Sequence, residues 1–200
     1  MLIALTGTPG TGKTSVCEVL REHSNYRKLY SIIDVNRLVL DEKLYAGKDE
    51  ARDTYEADID KLEERVKQEI EKKSGDVIME GHLCHLLPAD AVIVLRAHPV
   101  ALRKRLGKRK NYSFQKVKEN ADAEALDVIL VEATQRNKLV FEINTTNMNI
   151  IAVVKSVISI IDALKLGKTP EDFLPGKMNW IEQVTREYSP VTPKKTEKSK

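Results

Sequence analysis

The sequence predicts an α/β fold of three layers: a five-stranded parallel sheet with helices on both faces. Three observations predict it. Five short apolar runs of β type lack polar alternation, as strands buried on both faces do. Segments of helical periodicity, rather than tight hairpin turns, separate them. With 42% hydrophobic residues in 200, the chain can bury one substantial core.

The elements follow in chain order. Leu2–Leu5 is the first strand, ending in Thr6-Gly7, and Thr14–Arg21 reads as a helix. Leu29–Ile33 is the second strand and ends at Asp34. Tyr55–Lys73 is predicted as one amphipathic helix, because Ile59, Leu62, Val66 and Ile70 fall at helical spacing. Gly75-Asp76 turns into Val77-Ile78-Met79-Glu80, a strand that ends in an acid, and Ala91–Leu95 is the fourth strand. Pro99 suits the first turn of a helix. Phe114–Lys138 is predicted mostly helical, Leu139–Ile143 as the fifth strand and Ile150–Leu166 as a long helix. Prolines set the outer boundary: Pro170, Pro175, Pro190 and Pro193 crowd the end of the chain. The reading is one domain over residues 1–167 and an appendage over 168–189. A docked helix is expected between Phe173 and Tyr188, around Trp180, Ile181 and Val184, followed by a disordered Lys-rich tail over 190–200.

Composition excludes several classes. The 33 basic and 30 acidic residues leave +3. Lys194, Lys195, Lys198 and Lys200 against Glu197 already account for it, so residues 1–189 are neutral. That is not a surface for coating nucleic acid, and 5% aromatics argue against a base-stacking platform. No run of about eighteen apolar residues exists, so no membrane span is expected. Met1–Gly7 carries no basic leader of the secretory kind. Cys17 and Cys84 have no metal-ligand spacing and read as reduced thiols of a cytoplasmic protein.

In such sheets ligands sit beyond the carboxyl ends of the strands. That edge collects Gly7–Thr14, Asp34, Glu80–His82 and Arg96. Gly7-Thr8-Pro9-Gly10-Thr11-Gly12-Lys13-Thr14 fits G-x-x-x-x-G-K-[ST] between a strand and a helix, which specifies the P-loop NTPase version of the fold. The residue types are physically required. Glycines let successive N–H groups converge on a phosphate, and the helix adds its positive dipole end. Gly10, Thr11, Gly12, Lys13, Thr14 and Ser15 are therefore the candidate ATP-binding residues. The Lys13 ammonium suits β- and γ-phosphates, and the Thr14 hydroxyl suits Mg²⁺. Glu80 is the candidate to hold that metal through water. His82 stays open between a structural histidine and one that polarises water.

The loop GTPGTGKT in a chain of this size resembles the nucleoside monophosphate kinases. Asp34-Val35-Asn36-Arg37 resembles the D-x-x-R that opens their acceptor-binding helix. Arg103-Lys104-Arg105-Leu106-Gly107-Lys108-Arg109-Lys110, with six bases in eight positions, resembles the segment leading into their lid. The chain departs from ordinary adenylate kinases, whose D-G-F-P-R segment is here Glu80-Gly81-His82-Leu83-Cys84, without an arginine. Those departures, with Asp34-Val35-Asn36-Arg37-Leu38, Leu44-Tyr45-Ala46-Gly47-Lys48-Asp49-Glu50 and Val94-Leu95-Arg96, resemble the adenylate kinase isoenzyme six, or coilin-interacting nuclear ATPase, family over about residues 1–165.

The resemblance implies transfer of a phosphoryl group from ATP to AMP with broad tolerance for nucleoside monophosphates, together with ATP hydrolysis. It implies an acceptor segment over about 34–58, with Asp34 and Arg37 on the acceptor. It also implies a short lid over about 105–117, from which Arg105 and Arg109 close over the triphosphate. Lys13, Arg105, Arg109, His82 and Glu80 are the catalytic candidates, with His82 on the hydrolytic side. A role in small ribosomal subunit maturation is implied too, beside a small-subunit ribosomal protein and rRNA, with no membrane partner. The alternative is an ATP-hydrolysing assembly switch with little kinase activity. A small-metabolite kinase of similar fold would need acids to position a substrate hydroxyl, for which Asp34 alone is thin support.

Overall fold

The computed structural model describes residues 1–49, 54–110 and 112–182. In chain order its elements are β1 (Leu2–Thr6), α1 (Lys13–Glu22), β2 (Tyr30–Asp34), α2 (Val35–Asp41), β3 (Tyr45–Asp49), β4 (Thr54–Ala57) and α3 (Ile59–Glu71). They continue with β5 (Asp76–Glu80), a 3-10 turn (Cys84–Leu86), β6 (Ala91–Arg96), α4 (Pro99–Leu106), α5 (Phe114–Ala125) and α6 (Val128–Arg136). β7 (Val140–Asn144), α7 (Ile150–Lys165) and a second 3-10 turn (Glu171–Phe173) complete it.

Five strands form one parallel sheet in the order β2-β5-β1-β6-β7. The sheet is parallel because each crossover is a helix, and its strands are apolar because both faces are covered. Alternate residues feed two cores. Ile3, Leu5, Ile78, Ile93, Leu95 and Phe141 meet Val16 and Leu20 of α1 and Val157 and Ile161 of α7. Ala4, Met79, Val92 and Val94 face the other way, onto Leu62 and Val66 of α3 and Leu130 and Ala133 of α6. The chain leaves β1 toward β2 and later crosses to β6 on the other flank. A crevice therefore opens beyond the carboxyl end of β1, between β5 and β6.

One element differs from the periodicity reading. The predicted Tyr55–Lys73 helix begins only at Ile59. Asp58 accepts a hydrogen bond from Lys61 N (3.2 Å) as the N-cap. The residues before it, Thr54–Ala57, pair antiparallel with Tyr45–Asp49, and the Tyr45 and Tyr55 rings lie 4.3 Å apart. The stretch Phe114–Lys138, predicted mostly helical, is helical as two helices, which meet where Asp127 takes a left-handed φ of 56°. Within the appendage Trp180 is buried. Val184, Tyr188 and the Lys-rich tail over 190–200 lie outside the described residues.

Ile93 is fully buried in β6 between the two neighbouring strands of the sheet. Ile93→Ala is expected to destabilise the fold by about 2–5 kcal/mol. Urea titration followed by circular dichroism should show a lower midpoint with an unchanged slope.

Candidate functional site

The turn between β1 and α1 is forced into its path by space. Gly7 leaves β1 at φ 133°, and a Cβ there would sit 2.2 Å from the carbonyl oxygen of Leu95. Gly12 caps α1 at φ 104°, a left-handed conformation open to glycine at no steric cost. Thr11 is buried and steadies the turn from inside. Its hydroxyl donates to Thr8 O (2.9 Å), and its own carbonyl accepts from the Thr145 hydroxyl (2.9 Å).

Lys13, the first residue of α1, is buried beneath the loop. Its Nζ donates to Gly7 O (2.6 Å) and Thr8 O (3.2 Å). Burial pushes its pKa down to about 8. The carboxylates of Glu80 and Glu124 oppose that, and Arg109 adds to it. The next side chain, Thr14, donates its hydroxyl to Glu80 Oε1 (2.9 Å). Glu80 ends β5, in register with Asp34 at the end of β2. Burial raises its pKa, Asp34 raises it further, and the Thr14 hydrogen bond and Lys13 pull it down. A hydroxyl and a carboxylate thus sit together beside the loop, both hard oxygen donors of the kind magnesium prefers.

A cleft of about 700 Å³ runs from this loop across the sheet edge. Gly10, Gly12, Lys13, Thr14, Ser15, Glu80, His82 and Arg109 all line it. α2 turns Asn36, Val39 and Leu40 toward it, spaced i, i+3, i+4 on one helical face. α5 does the same with Lys116, Glu119, Asn120 and Ala123. His82 is exposed to the cleft, and its Nδ1 lies 2.7 Å from Asn36 Oδ1. The cleft walls desolvate the ring, and Lys13, His85 and Lys116 add positive charge, so its pKa falls to about 4. The imidazole is neutral at pH 7. With Nδ1 donating to Asn36, Nε2 keeps a free lone pair.

Four sequence-named residues do not line the cleft: Thr11, buried inside the turn, and Asp34, Arg37 and Arg105. Asp34 is the N-cap of α2, and its Oδ1 accepts from Arg37 N (2.9 Å). Arg37 leaves that helix on another face and pairs with Asp41 (3.0 Å) in solvent. Arg105 is committed to three backbone carbonyls. It donates to Gly10 O (3.2 Å), Thr145 O (2.8 Å) and Thr146 O (2.8 Å), so it braces the loop rather than projecting from a lid. Sequence reasoning also missed residues. Asn36, Tyr112 and Lys116 line the cleft, and the Tyr112 ring lies within reach of both Arg109 (5.5 Å) and Lys116 (5.6 Å). The helical spacing of Lys116, Glu119, Asn120 and Ala123 was the available signal. No helix among the described residues is long and apolar enough to cross a membrane. No group of three or more His, Cys, Asp or Glu suited to a metal occurs among them.

A parallel sheet in this order, with a G-x-x-x-x-G-K-[ST] turn at its central strand, defines a P-loop phosphotransferase of the small-kinase type. The match to known proteins narrows the class. Residues 3–127 fit the model of the AAA domain. A protein of Methanosarcina acetivorans named "Putative adenylate kinase" is 45% identical over 92% of this chain and 100% of its own length. One of the same name from Methanocaldococcus jannaschii is 41% identical over 92% and 94%. The chain belongs to this AAA-domain family of archaeal proteins named as adenylate kinases. The similarity reaches into the appendage, beyond the first 165 residues. Two solved structures share the fold at low identity. Shikimate kinase from Bacteroides thetaiotaomicron matches at TM-score 0.50 and 18% identity, over 81% of this chain and 98% of its own. Deoxyadenosine kinase from M. mycoides with bound dATP matches at 0.52 and 11%, over 81% and 100%.

The His82 environment is open to direct measurement. Its NMR titration is expected to have a midpoint near pH 4, against about 6.5 for a free histidine. The unfolded chain protonates His82 as the pH falls through 6.5, and the folded chain only near 4. The contribution of this residue to stability is therefore fully present above pH 6.5 and is lost as the pH falls toward 4. A midpoint at or above 6.5 would contradict the described environment.

Proposed function

We propose that this protein is an ATP-dependent nucleoside monophosphate kinase, converting ATP and AMP to two ADP with broad acceptor tolerance, and that it also hydrolyses ATP. The observation that carries this is the continuity of the cleft. It joins a phosphate loop with a buried ammonium to a chamber walled by Val39, Leu40, Tyr55 and Ala57. One end suits a triphosphate and the other a base held by apolar contact, with few polar groups to discriminate one base from another.

The loop amides of residues 10–15 and the Lys13 ammonium hold the donor phosphates. Thr14 and Glu80 are the residues that would hold Mg²⁺, Glu80 through water. The metal would neutralise charge on the phosphate oxygens as it passes from donor to acceptor. Arg109 lines the cleft at its lid side and offsets the charge that spreads over the transferred group. Arg105 acts through the loop carbonyl of Gly10. Asp34 sets the start of α2. Arg37 reaches an acceptor phosphate by leaving Asp41, an exposed pair worth under about 1 kcal/mol. The acceptor segment over about 34–58 and the lid over about 105–117 supply these groups. No covalent intermediate is required, since positioning and charge neutralisation lower the barrier.

One observation favours a second reading. A neutral imidazole stands in the cleft, held by Asn36 at 2.7 Å, with Nε2 able to accept a proton from water. That suits hydrolysis, and with the family resemblance it supports a cytoplasmic ATP-hydrolysing assembly switch. Its partners would be a small-subunit ribosomal protein and rRNA.

The test is ADP formation from ATP alone and from ATP with AMP, CMP or dAMP. Stimulation of at least about tenfold by AMP is expected, and Lys13→Ala should abolish turnover under both conditions. His82→Ala should lower the rate without AMP more than the rate with it. No stimulation by any monophosphate would leave the assembly switch in place of the kinase. Undiminished turnover in Lys13→Ala would remove the site assignment.

A further inference from the structure

Beneath the cleft lies a charged cluster that the proposed chemistry does not use. Arg96, at the end of β6, is 1% exposed and surrounded by three carboxylates. Its Nε donates to Glu124 Oε1 (2.6 Å), and its other nitrogens donate to Asp127 and to Glu142 (3.4 Å). Two of these carboxylates also bond outward. The second oxygen of Glu124 accepts from the hydroxyl of Thr8, in the phosphate loop, at 2.5 Å. Glu142 Oε1 accepts from the backbone N–H of Lys177, in the appendage, at 2.8 Å. An unbroken polar path thus runs from Lys177 through Glu142, Arg96 and Glu124 to Thr8.

A second path starts three residues further on. The buried Trp180 ring meets the His98 ring edge-on at 5.1 Å. The His98 backbone N–H donates to the Thr146 hydroxyl (2.9 Å). The Thr146 carbonyl accepts from Arg105, whose other arm donates to Gly10 O (3.2 Å). Both paths begin in one short surface segment and end in the same turn, at residues 8 and 10. None of Lys177, Glu142 or Trp180 lines the cleft.

Buried charges make such a path stiff. A guanidinium and carboxylates out of water tolerate few arrangements, because loss of one partner leaves another charge uncompensated. The appendage caps one end of the cluster, and the loop is the other end. We infer that the segment over 171–182 is a clamp that sets the shape of the phosphate loop. In this arrangement Glu124 and Arg105 are positioning residues that transmit its docking. The inference rests on the reading of that loop as the seat of the donor phosphates. Docked, the clamp fixes the hydroxyl of Thr8 and the carbonyl of Gly10, and with them the direction of the neighbouring amides. Undocked, it releases both, so donor affinity falls although every cleft side chain is intact.

The experiment is calorimetry with MgADP on the full chain, which needs no acceptor and no turnover. Trp180→Ala removes the His98 contact. Lys177→Pro removes the Lys177 N–H that donates to Glu142, and its melting temperature, measured beside the affinity, shows that the binding experiment is run on folded protein. Each should weaken MgADP binding about fivefold or more, the size of a typical coupling between sites. Thr8→Val should do the same, and Thr8→Ser, which restores the hydroxyl, should recover the original affinity. In the Thr8→Val/Lys177→Pro double variant the two losses should combine to less than their product, because both cut one path. A merely structural appendage would lower the melting temperature and leave MgADP affinity alone. Unchanged affinity in both Trp180→Ala and Lys177→Pro, or losses that multiply in the double variant, overturns the clamp while leaving the loop assignment standing. No heat with the unsubstituted chain overturns both.

Discussion

A buried ammonium at the amino end of α1 is the interaction on which the site depends. Lys13 is 6% exposed, and removing a cation from water is costly unless anions compensate. The fold compensates from two sides. Glu80 at the end of β5 and Glu124 on α5 both favour the charged form, and the carbonyls of Gly7 and Thr8 accept its protons. Those carbonyls are available only because the backbone doubles back at Gly7, where any side chain would collide with Leu95 O. The central strand, the glycine turn and the flanking acids therefore form one arrangement. Changing any of them alters the electrostatics of the rest.

The sheet order explains why these groups come from distant parts of the chain. β5 and β6 flank β1, so Glu80 and Arg96 arrive on either side of the turn. One acid stands beside the Thr14 hydroxyl. The other flank carries a guanidinium that would be uncompensated without Glu124, Asp127 and Glu142. Asp127 supplies its carboxylate from a left-handed residue between α5 and α6, so the break between these helices has a use. It lets Glu124 at the end of α5 and Asp127 in the break reach the same arginine.

What could be read from the sequence was local. The glycine turn needs a strand before it and a helix after it, and eight consecutive residues carry the whole signal. The strands were legible as continuous apolar runs because both their faces are covered. Thr54–Ala57 was not, since its apolar residues continue in phase with the helix that follows and only the Asp58 cap separates them. Arg37 was placed by motif. Its helical phase, one position from Asn36, turns it away from the face that lines the cleft. The Thr8–Glu124 hydrogen bond joins residues 116 apart, and no spacing rule foretells such a pair. The same holds for Lys177 on Glu142 and Trp180 on His98, which exist only once the sheet has closed.

The central claim is that the turn after β1, with Lys13, seats a magnesium-bound polyphosphate, and that the adjoining chamber takes a second nucleotide. The most direct measurement is a crystal structure of the full chain with magnesium and a dinucleoside pentaphosphate, which occupies donor and acceptor positions at once. The account predicts that the polyphosphate lies along the amides of residues 10–14 in contact with Lys13 Nζ, one base reaching Tyr55 and Val39. A polyphosphate bound elsewhere, with Lys13 still hydrogen-bonded only to Gly7 and Thr8, would contradict it.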